Sequence, residues 1–564
     1  MVGNIVASVC TCHPTPLQIA LGVRLGGHKK LVNELYKYRV CCSYDEVRRF
    51  MRSAAVKAAK DKAWSGLSDT SVGGLVQIII DNFDAIIHSQ NCRLDFHCLA
   101  MLVTQPRWDP ESQSDQIPRI SKRAMSEPFQ CDIPVVQYTG PKKPPMPETA
   151  SVRFEPSEKF QHAAVVSLKR SRDNDFQFIR SILYVVDTPE HSGYNTRLCR
   201  QAGMSPMTAS AVRYLPLINM TPSDPDCINT AMAHGFKITK DSNQNIMVMT
   251  CDQQLYKIVV DITFHTPALL TQVVAVLGGM HFLMDFVGCI GSLVAENGTK
   301  AILSTTFGSV DKMLSGKKYP QNVRALRLLT EEILRPVFDH HADHLHSMDD
   351  LDTVLSELSG KSQTTKMWVD LIIKPTFLMM QFSRASHEGD WPLHITTAEA
   401  MLPYMFAANH YNYARYGLYY VRSMTWLAPE LEEKFIKGEQ TMHHMDGIWN
   451  GMPTDHFIET NWTRKGHGPE GVIGDIKMFR RWPLGYTVEM LSKHLSMTYR
   501  KCLEALNQNK WCTKRRENSV YGEMRKTGTQ YVKPSKHALI QWPLIHTNLR
   551  FCSIFQQDSL HILK

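Results

Sequence analysis

Apolar and polar positions change period several times along the chain, and the changes mark its parts. From about 16 to 66 the spacing is helical. After "SYDE", Ser43 to Glu46, come Val47, Phe50, Met51, Ala54 and Ala55. "SYDE" reads as a capping box, in which Ser43 bonds the N3 amide and Glu46 reaches back. Three strand-like pieces follow, Leu75–Ile80, Ala85–Ser89 and Cys98–Thr104, with a turn signal at "SQNC". Three such pieces in a row predict an antiparallel meander. Residues 105 to 160 are proline-rich ("GPKKPPMPETA") and predict a long loop or linker. Tracts of mixed character run from 161 to 226. A helix is then expected over Cys227–Lys240, a strand over Asn245–Met249, and a strand over Val273–Leu277 that ends in "GGMH". From about 282 to 440 the pattern is helical, with Phe406–Met424 the clearest stretch. Beyond Gly474 the chain is basic and irregular.

Two apolar strands run into aspartate. Ile80 is followed by Asp81, and Met249-Thr250-Cys251 by Asp252. A third acid, Glu459, sits in a short helix within "MPTDHFIETNWTRKGHGPEG", which Thr454 or Asp455 can cap. The order strand-Asp, hairpin, strand-Asp, helix-Glu is that of RNase H-like folds. Two strand ends and one helix can aim three carboxylates at a pair of divalent ions, which clamp the attacking and leaving oxygens of a phosphodiester. Hard Mg²⁺, or Mn²⁺, prefers such oxygen ligands. The candidate metal ligands and catalytic residues are therefore Asp81, Asp252 and Glu459, with Asp84 as the alternative to Asp81. Each also has a plain structural reading: Asp81 and Asp84 as turn formers, Asp252 as a helix cap, Glu459 as an exposed helical acid.

Composition narrows the field. At 43% hydrophobic and 21% charged the chain is ordinary for a globular protein, and its formal net charge of +9 favours polyanionic partners such as DNA. The helix after Ser43 carries Arg48, Arg49, Arg52, Lys57 and Lys60, either a solvated basic face or a nucleic-acid contact. Fourteen cysteines without a C-x-x-C pair point to a reduced compartment, nuclear or cytoplasmic. No signal peptide is expected, so the protein is not predicted to be secreted. Ala268–Ala295 is apolar enough to mimic a membrane span, but His281 and Asp285 interrupt it, and a strand followed by a helix is expected instead.

The segments "CSYDEVRRF", "DNFDAIIHSQN", "GPKKPPMP", "DQQLYKIVVDI", "LGGMHFLMDFVGCIG", "ANHYNYARYGLYYVRSM" and "GIWNGMPTDHFIET" resemble a multi-copy family of transposable-element-derived proteins of animal genomes. The likeness covers roughly residues 15 to 475. More distantly, the chain is similar to hAT-type transposases, which carry an Asp after the first strand and another after the fourth. A C-x-x-H motif, a helical insertion and a final Glu follow. That likeness implies metal-dependent DNA strand cleavage and transfer by Asp81, Asp252 and Glu459. "GGMH" stands where C-x-x-H stands, with Gly278 in place of the Cys and His281 retained as a residue that orients the site. No N-terminal zinc finger is visible.

Other motifs have plainer readings. His340 and His344 are i,i+4 but lack the Glu of H-E-x-x-H. The aromatic run from Tyr404 to Tyr420 is expected in core packing rather than base stacking. "GHGPEG" is a turn, not a P-loop.

The predicted fold is α/β, an RNase H-like mixed sheet with flanking helices and a large helical insertion. Its parts are an N-terminal helical region (1–70), core strands (71–281), the insertion (282–445), the final core helix (446–475) and a basic irregular tail (476–564). The expected function is that of a transposase-derived protein. Arg464, Lys465 and Arg415 would meet DNA, there is no membrane segment, and a homo-oligomer is possible. The competing reading is a catalytically inactive nucleic-acid- or protein-binding module on the same scaffold.

Overall fold

The computed structural model describes residues 29–60, 74–88, 93–106, 119–121, 133–140, 155–184 and 191–463, apart from 208, 296 and 444–446, together with Thr70 and a few residues before 29. Arg464, Lys465 and the tail from 476 lie outside the described residues. The chain divides into two compact units. One comprises residues 1–62, 109–130 and 468–564, and the other residues 63–108 and 131–467.

In the first unit, helices span Lys29–Lys37 and Tyr44–Lys60. The amide of Glu46 donates to Ser43 Oγ at 3.2 Å, one half of the expected capping box. The Glu46 carboxylate instead receives two bonds from Arg119, each 2.7 Å. The basic face is also less solvated than its sequence suggests, because Arg49 donates to the carbonyl of Ile120 and Arg52 is buried.

The second unit holds a five-stranded mixed sheet: β1 (Gln77–His88), β2 (Arg93–Gln105), β3 (Ala211–Tyr214), β4 (Met247–Cys251) and β5 (Val273–Leu277), in spatial order β3-β2-β1-β4-β5. β1 pairs antiparallel with β2 and β2 antiparallel with β3, whereas β1–β4 and β4–β5 are parallel. The sequence pieces Leu75–Ile80 and Ala85–Ser89 are thus one strand, not two. β1 passes through both aspartates because successive side chains point to opposite faces. Asp81 stays buried, while Asp84 reaches the opposite, exposed face and meets its cross-strand partner His97, Oδ1 to Nδ1 2.7 Å. The third antiparallel strand is the short β3, far downstream.

Eight helices matter to the site. They are α1 (Glu158–Tyr184), α2 (Pro225–Asp241), α3 (Gln253–His265), α4 (Gly279–Leu293), α5 (Lys374–Glu388), α6 (Trp391–Ala407), α7 (Tyr411–Met424) and α8 (Thr454–Phe457), the last running into a π-helical turn, Ile458–Thr463. α2 approaches the sheet closely at Gly235, where a Cβ would come within 2.6 Å of Met247 Sδ. α3 provides the crossover that parallel β4 and β5 require.

The body beyond β5 is helical from Gly279 to Ile436. It also takes in α1, from a stretch of mixed character in the sequence. α6 lies against α1, α4, α5 and α7. Phe160 of α1 meets Trp391 edge-on at 5.0 Å, and Asp175 pairs with Arg384 of α5 at 2.6 Å, both side chains fully buried. Four tyrosines of the aromatic run pack against other rings, while Tyr411 is exposed. Tyr404 meets Phe286, Tyr413 meets Phe282, Tyr419 meets Phe264 and Tyr420 meets Tyr256. Offset and edge-on contacts of this kind are core packing. Among the described residues no helix is long and apolar enough to cross a membrane.

Candidate acidic site at the strand ends

Register brings the acids together. β1 and β4 pair Ile79 with Thr250, so two further residues along each parallel strand bring Asp81 level with Asp252. β4 and β5 pair Cys251 with Leu277, and the Gly278 amide donates to the Cys251 carbonyl at 2.8 Å. Gly278 therefore stands beside Asp252, and His281 occupies the first turn of α4. These are the carboxyl ends of the parallel strands, where open α/β sheets place their ligands.

Asp252 has two connections. Its Oδ1 accepts the Leu255 amide at 2.9 Å and so caps α3, as the plain reading of the sequence expects. Its charge also acts on His281 and Asp81. Asp81 is 4% exposed; Oδ1 accepts the Asn82 amide, and Oδ2 is buried without a hydrogen-bond partner among the described residues. Burial, then the charge of Glu459, push the Asp81 carboxyl well above the usual range, with Asp252 adding to the effect and His281 opposing it. Burial raises Asp252 as well, offset by the Leu255 amide and by His281. Glu459 enters from the π-helical turn, partly exposed, with Oε1 4.0 Å from His281 Nε2.

Asp455 is the residue that sequence reasoning took only for a possible helix cap. It is one, but for a helix 175 residues away. The N-cap of α4 is Gly278, which has no side chain to accept the free amides of the first turn. Asp455 fills that role: Oδ1 accepts Met280 N at 3.1 Å, and Oδ2 accepts His281 N at 3.0 Å and meets His281 Nδ1 at 3.0 Å. Gly278 is required for this approach, since a Cβ there would fall 2.5 Å from Asp455 Oδ2. Burial would raise the Asp455 carboxyl, but the His281 ring and the two amides hold it below its ordinary value. The signal available in the sequence was the glycine pair opening an otherwise strong helix, which obliges some other segment to supply the cap.

His281 is the positive centre. Burial works against its charge but is outweighed by the hydrogen bond and charge of Asp455, with Asp81 and Asp252 adding, and its pKa rises to about 9. Behind it, the half-buried His394 of α6 is pushed down to about 4 by desolvation, and its Nε2 lies 3.2 Å from Tyr420 Oη.

The sign of the His281 shift gives a pH window. A folded pKa above the unfolded value means stabilisation that is complete below about pH 6.5 and lost as pH rises through about 9. The unfolding free energy of wild type minus that of His281→Gln should fall by about 2 kcal/mol across that window, after allowance for solvent screening. Denaturant titrations at a series of pH values measure it, and a difference that does not change with pH would show a neutral ring.

Four carboxylates thus surround one imidazolium. Asp81, Asp252 and Glu459 suit oxygen-seeking divalent ions, and the unpartnered Asp81 oxygen is the strongest mark of that fit. Their donor atoms are not all within 4.8 Å of one another.

Other predicted site residues lie elsewhere. Asp84 is committed to His97. Arg415 is exposed on α7, with its guanidinium 5.8 Å from the Tyr416 ring centre and its charge acting on Asp261. His340 bonds the Pro336 carbonyl at the surface.

The profile of a domain of unknown function, DUF8702, matches residues 190–347 and 331–542, together more than half of the chain. No curated protein and no solved structure matches.

Proposed function

Since the chain belongs to the DUF8702 family, whose description carries no activity, we propose its function from the site: a transposase-derived protein with an RNase H-like core, built for divalent-metal-dependent cleavage and transfer of DNA strands. The observation that carries this reading is the parallel register of β1 and β4, which brings Asp81 level with Asp252 just past the last paired residues, with a buried Asp81 oxygen that has no hydrogen-bond partner among the described residues. The strand order supports it, with three antiparallel strands joined to two parallel ones at β1.

In this reading Asp81, Asp252 and Glu459 hold Mg²⁺ or Mn²⁺, which when bound would activate a water or 3′-hydroxyl and neutralise charge building on the phosphate oxygens. The chain's own residues do the rest. Asp455 fixes the His281 ring through Nδ1 and the backbone of α4. His281 balances part of the acidic charge, and Glu459 is the most exposed of the acids, with a side chain 38% exposed. Arg415, Arg464 and Lys465 are the proposed contacts to the DNA backbone, and a homo-oligomer is the proposed assembly.

One observation favours a second reading, that of a catalytically inactive binding module. With a pKa of about 9, His281 is itself a cation among the acids at neutral pH, so the site is partly balanced without metal. The test is nicking of supercoiled plasmid by the full chain in Mg²⁺ or Mn²⁺, against a chelator control. Metal-dependent nicking supports the enzyme. DNA binding without nicking in either metal would leave the inactive module.

A further inference from the structure

α4 carries a second set of metal-binding side chains, one and two turns beyond His281. Asp285 and Cys289 are four residues apart and share one face of the helix. His410, the residue before α7, faces them. Its Nδ1 lies 2.7 Å from Asp285 Oδ1, and Cys289 Sγ lies 3.7 Å from Asp285 Oδ2. One donor atom from each residue lies within 4.8 Å of the others, and among the described residues no other three His, Cys, Asp or Glu side chains meet that condition.

We propose that Asp285, Cys289 and His410 form a mononuclear site for a borderline divalent cation of the Zn²⁺ class, with solvent as the fourth ligand. The donor set argues for this class. Thiolate, imidazole and carboxylate together suit Zn²⁺, whereas Mg²⁺ and Ca²⁺ take oxygen alone. The site is therefore chemically distinct from the oxygen-only acids around His281.

The spacing argues for it too. Bonds of about 2.0–2.3 Å in a tetrahedron put donor atoms roughly 3.3–3.7 Å apart. The sulfur lies 3.7 Å from Asp285 Oδ2 and the imidazole nitrogen 2.7 Å from the other oxygen, Oδ1, so a turn of the carboxylate is needed to present one oxygen to both. The nitrogen–oxygen pair has to open by less than about 1 Å, within reach of small side-chain rotations. Cys289 is fully buried, but the His410 and Asp285 side chains are partly exposed, which leaves a route for the ion and room for a solvent ligand.

The Cys289 thiol donates to Asp285, and the imidazole of His410 pairs with the same carboxylate. Binding would release the thiol proton to solvent and shift the neutral imidazole proton from Nδ1 to Nε2, leaving both sulfur and nitrogen free to bind. The bound ion would tie α4 to the turn between α6 and α7.

The experiment is a titration of the full chain, stripped with chelator, using Co²⁺ as the spectroscopic stand-in for Zn²⁺. The expected result is a thiolate-to-cobalt charge-transfer absorption that saturates at one equivalent and is abolished by added Zn²⁺. Cys289→Ser should remove the absorption. His410→Gln, at a partly exposed position that folding tolerates, should weaken Co²⁺ binding at least about 100-fold. Asp81→Asn should leave both absorption and affinity as in wild type. Absence of the absorption in wild type would overturn the proposal. So would an absorption that survives Cys289→Ser and His410→Gln, because other cysteines would then hold the ion. Loss in Asp81→Asn would assign the ion to the acidic site and overturn it as well.

Discussion

Asp252→Asn is expected to reduce metal-dependent nicking at least ~10³-fold, about 4 kcal/mol of transition-state stabilisation, while leaving folding nearly unchanged. The two effects separate because Asp252 has two connections. Its Oδ1 caps α3 by accepting the Leu255 amide, and asparagine caps as well as aspartate does. Its charge acts on Asp81 and His281, and asparagine has none. The cost in unfolding free energy should therefore stay below about 0.5 kcal/mol. Asp81→Asn should abolish nicking to a similar degree but stabilise the metal-free protein by about 1 kcal/mol, because it removes a buried carboxylate whose Oδ2 has no partner. Nicking rates and denaturant midpoints, taken on the same preparations without metal, test both variants. Undiminished nicking in Asp252→Asn would sink the metal-ligand assignment. Destabilisation in Asp81→Asn would show that its carboxylate is paired after all.

Asp455→Ala should be the most destabilising change in the site, costing about 3–5 kcal/mol. It strips the acceptor from the Met280 and His281 amides and takes from the half-buried His281 ring its hydrogen-bonded counter-charge. The pH dependence has a definite sign. Asp455 is held below its ordinary pKa, so its contribution is present above the unfolded value of about 3.9 and is lost as pH falls through the lower folded value. The His281 contribution fades at the other end, as pH rises through about 9. The pair should stabilise the fold most between these limits, and the difference between wild type and Asp455→Ala should be largest there. A flat difference across pH would mean that the interaction is not ionic.

The fold was legible where local pattern and tertiary environment agree. Val273–Leu277 is a strand with the expected limits, and Pro225–Asp241 is a helix over the expected span, capped by Asp224. The α/β class and the long helical stretch after Gly279 follow from period alone. Sequence reasoning failed where long-range partners decide. Strand β1 looked finished at Ile80 because Asp81 and Asp84 read as turn residues; the first is buried among the other acids and the second is paired across the sheet. α1 escaped notice because its buried face includes Ser171 and Asp175, and the partner of Asp175 is 209 residues away. β3 has only four residues, one of them a buried arginine. In the site, Asp81 and Asp252 could be suspected from strand ends. For Asp455 the sequence signals only the need, a helix opened by a glycine pair, and not which distant residue meets it.

The wide separation of the site residues in the chain has a consequence for biosynthesis. The sheet and its acids are drawn from both ends of the second unit. Leu75 is bonded to Glu439, and His281 to Asp455. About 370 residues are synthesised between Asp81 and Asp455, which takes roughly 20–75 s at ordinary rates of translation. In the first part of that interval, until Met247–Cys251 has been made, the nascent hairpin of β1 and β2 exists without β4 beside it. Its row of isoleucines and the unpaired edge of β1 are then the surface most in need of shelter by a chaperone. A ribosome stalled before Asp455 would hold a chain whose sheet can close but whose α4 has no cap. Premature release there would yield a fragment whose acidic site has lost its anchor.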